Sequence, residues 1–342
     1  MISRLGIFTA DQYARATIRG RVDGSAISYD LLQIDDHPTE AEISRFEQIS
    51  LGFRTSNGTT RLTFRRRLLE VDTTTLELVQ QWHPRDAELH VEDRAASNCL
   101  TSAELAEQLF PVFPHATIEA SDRLLYVLRI SLGRGKAYII EPDGELLQYI
   151  CPPFVVYLNS REPYRCPVRR LIAARAKRSF LQLGLPQRCG EYAIERISCV
   201  HPEADSFCKR DPRLRICTRS VFEHHPGLDV LRTMNILNKA YFPVERLVEG
   251  ANAAFQSLKP GGLWIVGRTS GNTNDVTFFR RTEYKWEVMA RIGKGSEIEE
   301  LVDGAFPTTA RDSSFSKNNT QSTLLRQASL PPCHFRENSL AA

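Results

Sequence analysis

The sequence predicts an α/β fold. It reads as a mostly parallel sheet closed by a C-terminal antiparallel hairpin, with an N-terminal accessory region and an inserted β-hairpin and helix. Three observations predict this. From Glu88 onward, short apolar stretches of strand length alternate with segments of helical spacing, the pattern of a parallel sheet with crossover helices. A helical stretch from Val244 to Leu258 runs into Lys259-Pro260-Gly261-Gly262, a strong stop, and then into the apolar strand Leu263 to Val266. Two further strand candidates, Val276 to Arg280 and Trp286 to Ile292, follow and read as the closing hairpin.

The first 85 residues read as a separate layer. Ala41 to Ile49 has helical spacing, with Ile43, Phe46 and Ile49 on one face. Asn57-Gly58 is a turn signal, and Thr59 to Leu68 alternates like a strand. Arg65, Arg66 and Arg67 interrupt that run, and a solvated face is their simplest reading.

The main domain is expected over residues 86–303. Leu89 to Ala96 is a strand candidate, followed by a helix from Thr101 to Phe110 that Pro111 stops. Thr101 and Glu104 stand as cap and third residue of a capping box. The strand Ala116 to Ala120 ends at Ser121-Asp122. Over 136–187 the alternation breaks. Ala137 to Ile140 and Leu146 to Ile150, split by Pro142-Asp143-Gly144, predict a β-hairpin. Pro167 to Leu183 predicts a helix with Pro in its first turn, carrying Arg169, Arg170, Arg175, Lys177 and Arg178. A solvated face is again the simpler reading, and a docking surface the alternative. The alternation resumes with Ile194 to Val200, Leu214 to Cys217 and Asp229 to Thr233. Residues 304–342 are rich in Ser, Thr, Asn and Arg, and are expected to be a disordered tail.

Bulk composition excludes several function classes. Of 342 residues, 42% are hydrophobic and 25% charged, which suits an ordinary globular core. The balance of 44 basic and 41 acidic side chains leaves +3, so nucleic acid is not indicated as a partner. No run of 18 apolar residues occurs, and Met1 to Gly6 opens no secretory signal; no membrane partner and a cytoplasmic address are expected. Eight cysteines contain no Cys-x-x-Cys, so reduced thiols are expected. The spacing of Cys199, His201, Cys208 and Cys217 fits no zinc pattern, and no metal is expected. Neither a P-loop nor a Gly-x-Ser-x-Gly sequence is present.

The segment Asp229 to Phe242, the helix after it and Leu258 to Gly267 together resemble the fourth strand, fifth helix and fifth strand of class I S-adenosylmethionine-dependent methyltransferases. The likeness is closest to the chemotaxis-receptor methyltransferases, with Asn235, Tyr241 and Phe242 at the matching places. It implies a Rossmann-like methyltransferase sheet and S-adenosyl-L-methionine as cofactor. It further implies methyl transfer to an acceptor, small molecule or protein, that the sequence does not identify. The alternative is a catalytically inactive protein that keeps the fold as a regulatory or scaffolding module.

The same resemblance places the cofactor site. Asp93 stands at the acidic position of the first strand, with Ala95, Ser97 and Cys99 where a Gly-x-Gly-x-Gly loop is expected, and Asn98 among them. Asp122, at the end of the second strand, stands where an acid accepts hydrogen bonds from ribose. Capping of the next helix is its other reading. Ser220 and Val221 fall at the adenine contact, and Asn235 at the fourth strand's exit. A catalytic base would come from strand ends, near Asn235, His201 or His225, and none of them stands out.

Overall fold

A computed structural model describes residues 5–19, 27–35, 37–56, 63–158, 166–183 and 192–302. Asn57-Gly58, the start of the strand expected from Thr59, and the tail at 304–342 lie outside the described residues. In chain order the helices are α1 (Ala10–Ile18), α2 (Glu40–Gly52), α3 (Leu69–Trp82), α4 (Leu100–Leu109), α5 (Pro167–Gln182), α6 (Pro202–Arg210), α7 (Val244–Ser257) and α8 (Glu299–Val302). The strands are β1 (His90–Arg94), β2 (Thr117–Asp122), β3 (Tyr126–Gly133), β4 (Lys136–Ile140), β5 (Leu146–Cys151) and β6 (Phe154–Tyr157). They continue with β7 (Ala193–Ser198), β8 (Leu214–Thr218), β9 (Leu228–Met234), β10 (Leu258–Ser270), β11 (Thr273–Arg281) and β12 (Trp286–Ile292).

Seven strands form the main sheet in the order β12-β11-β10-β9-β1-β2-β8. The pairs among β10, β9, β1, β2 and β8 are parallel, and β11 and β12 pair antiparallel at the C-terminal edge. The α/β class with its antiparallel closing hairpin is therefore observed as expected. Strand order reverses between β1 and β9. The carboxyl ends of strands at such a reversal leave a crevice, which is where doubly wound sheets bind ligands.

The chain enters a second sheet directly after β2. Its order is β6-β5-β4-β3-β7, antiparallel throughout. The expected hairpin is present as β4 and β5, in the middle of five strands. Ile194 to Val200 does not continue the parallel sheet. It supplies β7, which pairs antiparallel with β3 from Tyr126↔Ser198 to Ser131↔Ala193. An apolar strand carries no local mark of which sheet it will join, so sequence order alone misplaced it.

Residues from the N-terminal region share cores with both sheets. Tyr29, Leu32, Phe46, Ile49 and Phe53 are buried with Val127, Ile139, Leu147 and Ile197 of the second sheet. Gln148 on β5 anchors this contact: its side chain accepts the Tyr29 N–H at 3.0 Å and donates to the Ile27 carbonyl at 2.8 Å. In α3, Val71 and Val79 join the main core beside Val91, Ile118 and Ile265. Thr63 to Leu68 is irregular and turned rather than a strand. Arg65 is not merely solvated, since it makes a bidentate pair with Glu203 at 2.6 and 2.7 Å.

The two faces of the main sheet are covered unequally. One carries α3, α4 and α6 around the core just named. On the other, α7 packs Leu247, Ala251 and Ala254 against Leu231, Trp264, Val266 and Phe279. No helix connects β8 to β9, and nine residues from Arg219 to Gly227 make that connection alone. The sheet beneath them turns polar: Glu92 and Arg94 on β1, Glu119 and Ser121 on β2, Cys217 on β8. These polar side chains satisfy one another where no helix packs: Glu92 accepts from Arg94, Ser121 and Arg219.

Candidate functional site

A cavity of about 200 Å³ opens at the carboxyl ends of β1, β2 and β9, at the reversal of strand order. Of the residues expected to hold a cofactor, Asp93, Ala95, Ser97, Asp122, Ser220, Val221 and Asn235 all line it. Asn98 and Cys99 are not among the lining residues. Asn98 is buried and serves the backbone behind the loop: its side chain accepts the Leu100 N–H at 3.2 Å, and its carbonyl accepts the His201 N–H at 2.8 Å. Cys99 is fully buried in the main core and stands as the N-cap of α4.

The loop from β1 to α4 has a distinctive backbone. Ala95, Ser97 and Cys99 sit at φ +62°, +58° and +64°, three left-handed residues in alternation. These are the three positions at which the methyltransferase resemblance expects glycine. The path is thus one that glycine adopts freely, held here by residues with a Cβ, at about 1–2 kcal/mol each. The helix cap follows from it. The Thr101–Glu104 capping box does not form; Cys99 caps without a side-chain bond, and Glu104 instead accepts the Arg66 N–H at 2.8 Å.

Strain of this kind predicts an inversion of the usual rule. Ala95→Gly is expected to leave stability unchanged or raise it by up to about 1 kcal/mol, although Ala to Gly ordinarily destabilises. Ala95→Val is expected to lower it by more than about 1 kcal/mol, since a β-branched residue is an outlier at positive φ. Urea unfolding of the two variants checks both signs.

Asp122 braces the loop. Its Oδ2 accepts the Ser97 N–H at 2.8 Å and its Oδ1 the Leu124 N–H at 2.9 Å. The alternative helix-capping role does not arise, because β3 rather than a helix follows.

Asp93 departs from its expected role. Arg232, its register partner on β9, grips it with two hydrogen bonds, Nε to Oδ1 at 2.9 Å and Nη2 to Oδ2 at 2.6 Å. The Ser102 hydroxyl donates to Oδ2 at 2.5 Å. The same guanidinium reaches Asp72 on α3 through Nη1 and the Thr101 carbonyl at 2.9 Å through Nη2. All three charged side chains are buried. One cation shared between two buried carboxylates leaves one acid poorly served. Burial pushes the Asp72 carboxyl up to about 7; Arg232 opposes the rise and Asp93 adds to it.

The opposite wall comes from the β8–β9 connection. The Ser220 hydroxyl accepts the Phe222 N–H at 3.3 Å and the Ser220 N–H donates to Glu223 at 3.1 Å, so these residues form their own turn. Arg219 lines the cavity and is anchored to Glu92 at 2.8 Å and to Glu119. Asn235, at φ +65°, ties the exit of β9 to β10: its side-chain oxygen accepts the Thr269 N–H at 2.7 Å. Tyr241 and Phe242 complete that side, and Thr55, Thr63, Arg67 and Arg123 close it from the N-terminal region and the β2–β3 turn.

Neither histidine considered as a base lines the cavity. His201 is fully buried at the N-cap of α6, where its Nδ1 accepts the Glu203 N–H at 3.2 Å and its Nε2 meets Glu47 at 3.2 Å. His225 lies 3.6 Å from Glu92 and 3.7 Å from Glu119. Sequence reading missed Arg232, Asp72, Arg67, Arg123 and Arg219. For Arg232 a signal existed: an arginine next to Val230 and Leu231 in a strand candidate needs a buried partner.

No protein-family model and no curated protein matches this sequence. Among solved structures, the chain is similar to a putative O-methyltransferase of Nostoc punctiforme, at 14% identity and TM-score 0.25, over 58% of this chain and 37% of that one. It is similar to a putative sarcosine dimethylglycine methyltransferase of Galdieria sulphuraria, at 10% identity and TM-score 0.27, over 58% and 46%. A third is a putative protein-L-isoaspartate O-methyltransferase of Plasmodium falciparum in complex with S-adenosyl-L-homocysteine, at 8% identity and TM-score 0.31, over 83% and 94%. The chain thus spans less than half the length of the first two. Likenesses this slight assign neither activity nor cofactor to this protein.

Proposed function

We propose that the cavity at the carboxyl ends of β1, β2 and β9 binds S-adenosyl-L-methionine and that the protein transfers its methyl group to an acceptor. The observation that carries this reading is the left-handed alternation at Ala95, Ser97 and Cys99. It lies at the crevice of the strand-order reversal, where Ala95 and Ser97 line the cavity and Asp122 accepts the Ser97 N–H. At the nucleoside end Asp122 would accept from ribose hydroxyls, and Val221 and Phe222, which line the cavity, would form an apolar wall for adenine. The sulfonium supplies the reactivity when the cofactor is bound. The chain's own part is to hold the nucleoside, exclude water and align the acceptor, with Tyr241, Phe242 and Arg67 on the remaining wall.

A second reading is favoured by the methionine end. There Asp93 is bound on both oxygens by Arg232, and the cavity of about 200 Å³ is smaller than the roughly 300–1,000 Å³ of most ligand pockets. On that reading the protein keeps the fold as a non-catalytic regulatory module. The finer likeness to chemotaxis-receptor enzymes rests on Asn235, Tyr241 and Phe242 alone.

Calorimetric titration with S-adenosylhomocysteine distinguishes the two. The first reading expects saturable binding, weakened by about 1–3 kcal/mol in Asp122→Ala as a charged acceptor is lost. Absence of both heat and thermal shift would leave only the second. Because Asp122→Ala also removes the carboxylate acceptor of the Ser97 and Leu124 amides, its fold is checked by urea unfolding before the affinities are compared.

A further inference from the structure

Helix α5 lies on the far side of the second sheet, away from the cavity, and its sixteen residues contain no acid. Ile172, Ala173, Ala176 and Phe180 pack against Leu128, Ile130 and Tyr138, and the Tyr138 hydroxyl donates to the Ala176 carbonyl at 2.8 Å. Arg169 is buried as well, and the opposite face of the helix is exposed. At 100° per residue, Leu171, Ala174, Arg178 and Leu181 form one stripe directly opposite the buried face. Leu171 is 71% exposed and Leu181 81%, with Val168 at 50%. Arg170 and Lys177 flank the stripe on one side and Arg175 on the other. Among the described residues, no carboxylate pairs with Arg170, Arg175, Lys177 or Arg178.

A solvated helix face ordinarily intersperses acids and bases at i, i+4 spacing, and keeps large aliphatic side chains off its crest. This one does neither. Cations with no carboxylate partner among the described residues, on the flanks and at Arg178 of the crest, together with exposed Leu171 and Leu181, suit an anionic surface that also accepts apolar side chains. A phospholipid headgroup layer has both properties: its phosphates meet the cations, and the leucines enter the acyl boundary while the long basic side chains reach back to the headgroups. A nucleic-acid backbone offers the charge and no place for the leucines. We propose that α5 docks the protein flat on acidic phospholipid membranes. That no helix among the described residues is long and apolar enough to cross a membrane does not oppose this, because a helix lying in the interface need not span.

Sedimentation of the full-length protein with phosphatidylcholine vesicles, with and without about 30% phosphatidylserine, tests it. Partition onto the acidic vesicles alone is expected, falling as salt rises. Arg170→Glu with Arg178→Glu is expected to reduce it more than tenfold, at roughly fivefold for each cation lost. Leu171→Ser with Leu181→Ser is expected to reduce it as well, at unchanged charge. Both pairs are exposed, so unchanged circular dichroism serves as the control for folding. Equal partition onto both vesicle types, or full binding by the leucine variant, overturns the proposal. So does retention on single-stranded RNA in the same salt with no vesicle binding, which would make the helix a nucleic-acid contact.

Discussion

Replacing Arg232 with Met is expected to destabilise the protein by about 3–5 kcal/mol. The substitution keeps most of the side-chain volume, so the loss is electrostatic. It leaves Asp93 and Asp72 buried without their cation, and Asp93 then keeps only the Ser102 hydroxyl among the described residues. The pH dependence distinguishes this from a packing defect. A carboxyl whose folded pKa is raised stabilises the fold below its unfolded pKa and loses that contribution as pH rises through the folded value. For Asp72 the window runs from about 4, the ordinary aspartate value, up to about 7 in the intact protein. Removing Arg232 takes away the group that opposes the rise, so the gap between variant and parent widens as pH increases from about 4. Adding Asp72→Asn and Asp93→Asn to Arg232→Met is expected to recover most of the loss, because a neutral triad has no unpaired charge to bury. A loss under about 1 kcal/mol by urea unfolding at neutral pH would show that the triad is not the buried anchor described above.

Glu92→Ala should cost a similar amount, about 3–5 kcal/mol, on the other face of the same strand. The Glu92 carboxylate accepts from Arg94 at 3.1 and 2.6 Å, from the Ser121 hydroxyl at 2.7 Å and from Arg219 at 2.8 Å. Arg94 is fully buried, and its Nη1 already has no partner among the described residues. Without Glu92 its remaining polar partner is the Ser257 hydroxyl at 3.2 Å. Burial by itself would raise the Glu92 carboxyl; Arg94, Arg219 and Ser121 outweigh it and hold the group below the ordinary range. A depressed carboxyl contributes stability above its unfolded pKa and loses it as pH falls through the folded value. The difference between parent and variant should therefore be full above about pH 4.3 and shrink in acid. The variant has a second readout. Glu92 helps fix Arg219, which lines the cavity, so affinity for S-adenosylhomocysteine should fall in Glu92→Ala even at temperatures where the fold survives.

These two residues also mark what could and could not be read in advance. Glu92 and Asp93 stand next to each other in a strand the sequence predicts, and alternation sends them to opposite faces. Their partners are far away in sequence. Arg232 follows Asp93 by 139 residues and Arg219 follows Glu92 by 127. Asp93 was expected to face a cofactor because its position is that of the family's acid, and position cannot show that a guanidinium across the sheet has taken both its oxygens.

The site's outline was legible for a similar reason in reverse. Asp93, Ala95, Ser97, Asp122, Ser220, Val221 and Asn235 reach one cavity because each sits at or just beyond a strand end, the places the methyltransferase resemblance pointed to. Asn98 and Cys99 were misjudged because a loop has an inner and an outer side that spacing does not reveal. The Thr101–Glu104 box failed likewise: a capping pattern is local, and the left-handed Cys99 starts the helix one residue early.

By itself the sequence determined the strands of the main sheet, helices α2, α4, α5 and α7, the β4–β5 and closing hairpins and the basic composition of α5, but not β3, β6, α3 or α6; what it did determine depends on side-chain periodicity and backbone preference over a few residues. Tertiary structure decided which sheet Ile194 to Val200 would join, which acid would be neutralised, and that Ala95, Ser97 and Cys99 would hold a path glycine prefers. Each of those outcomes rests on burial and pairing between distant segments, where the free energy of a charge or a left-handed residue is set by what packs around it.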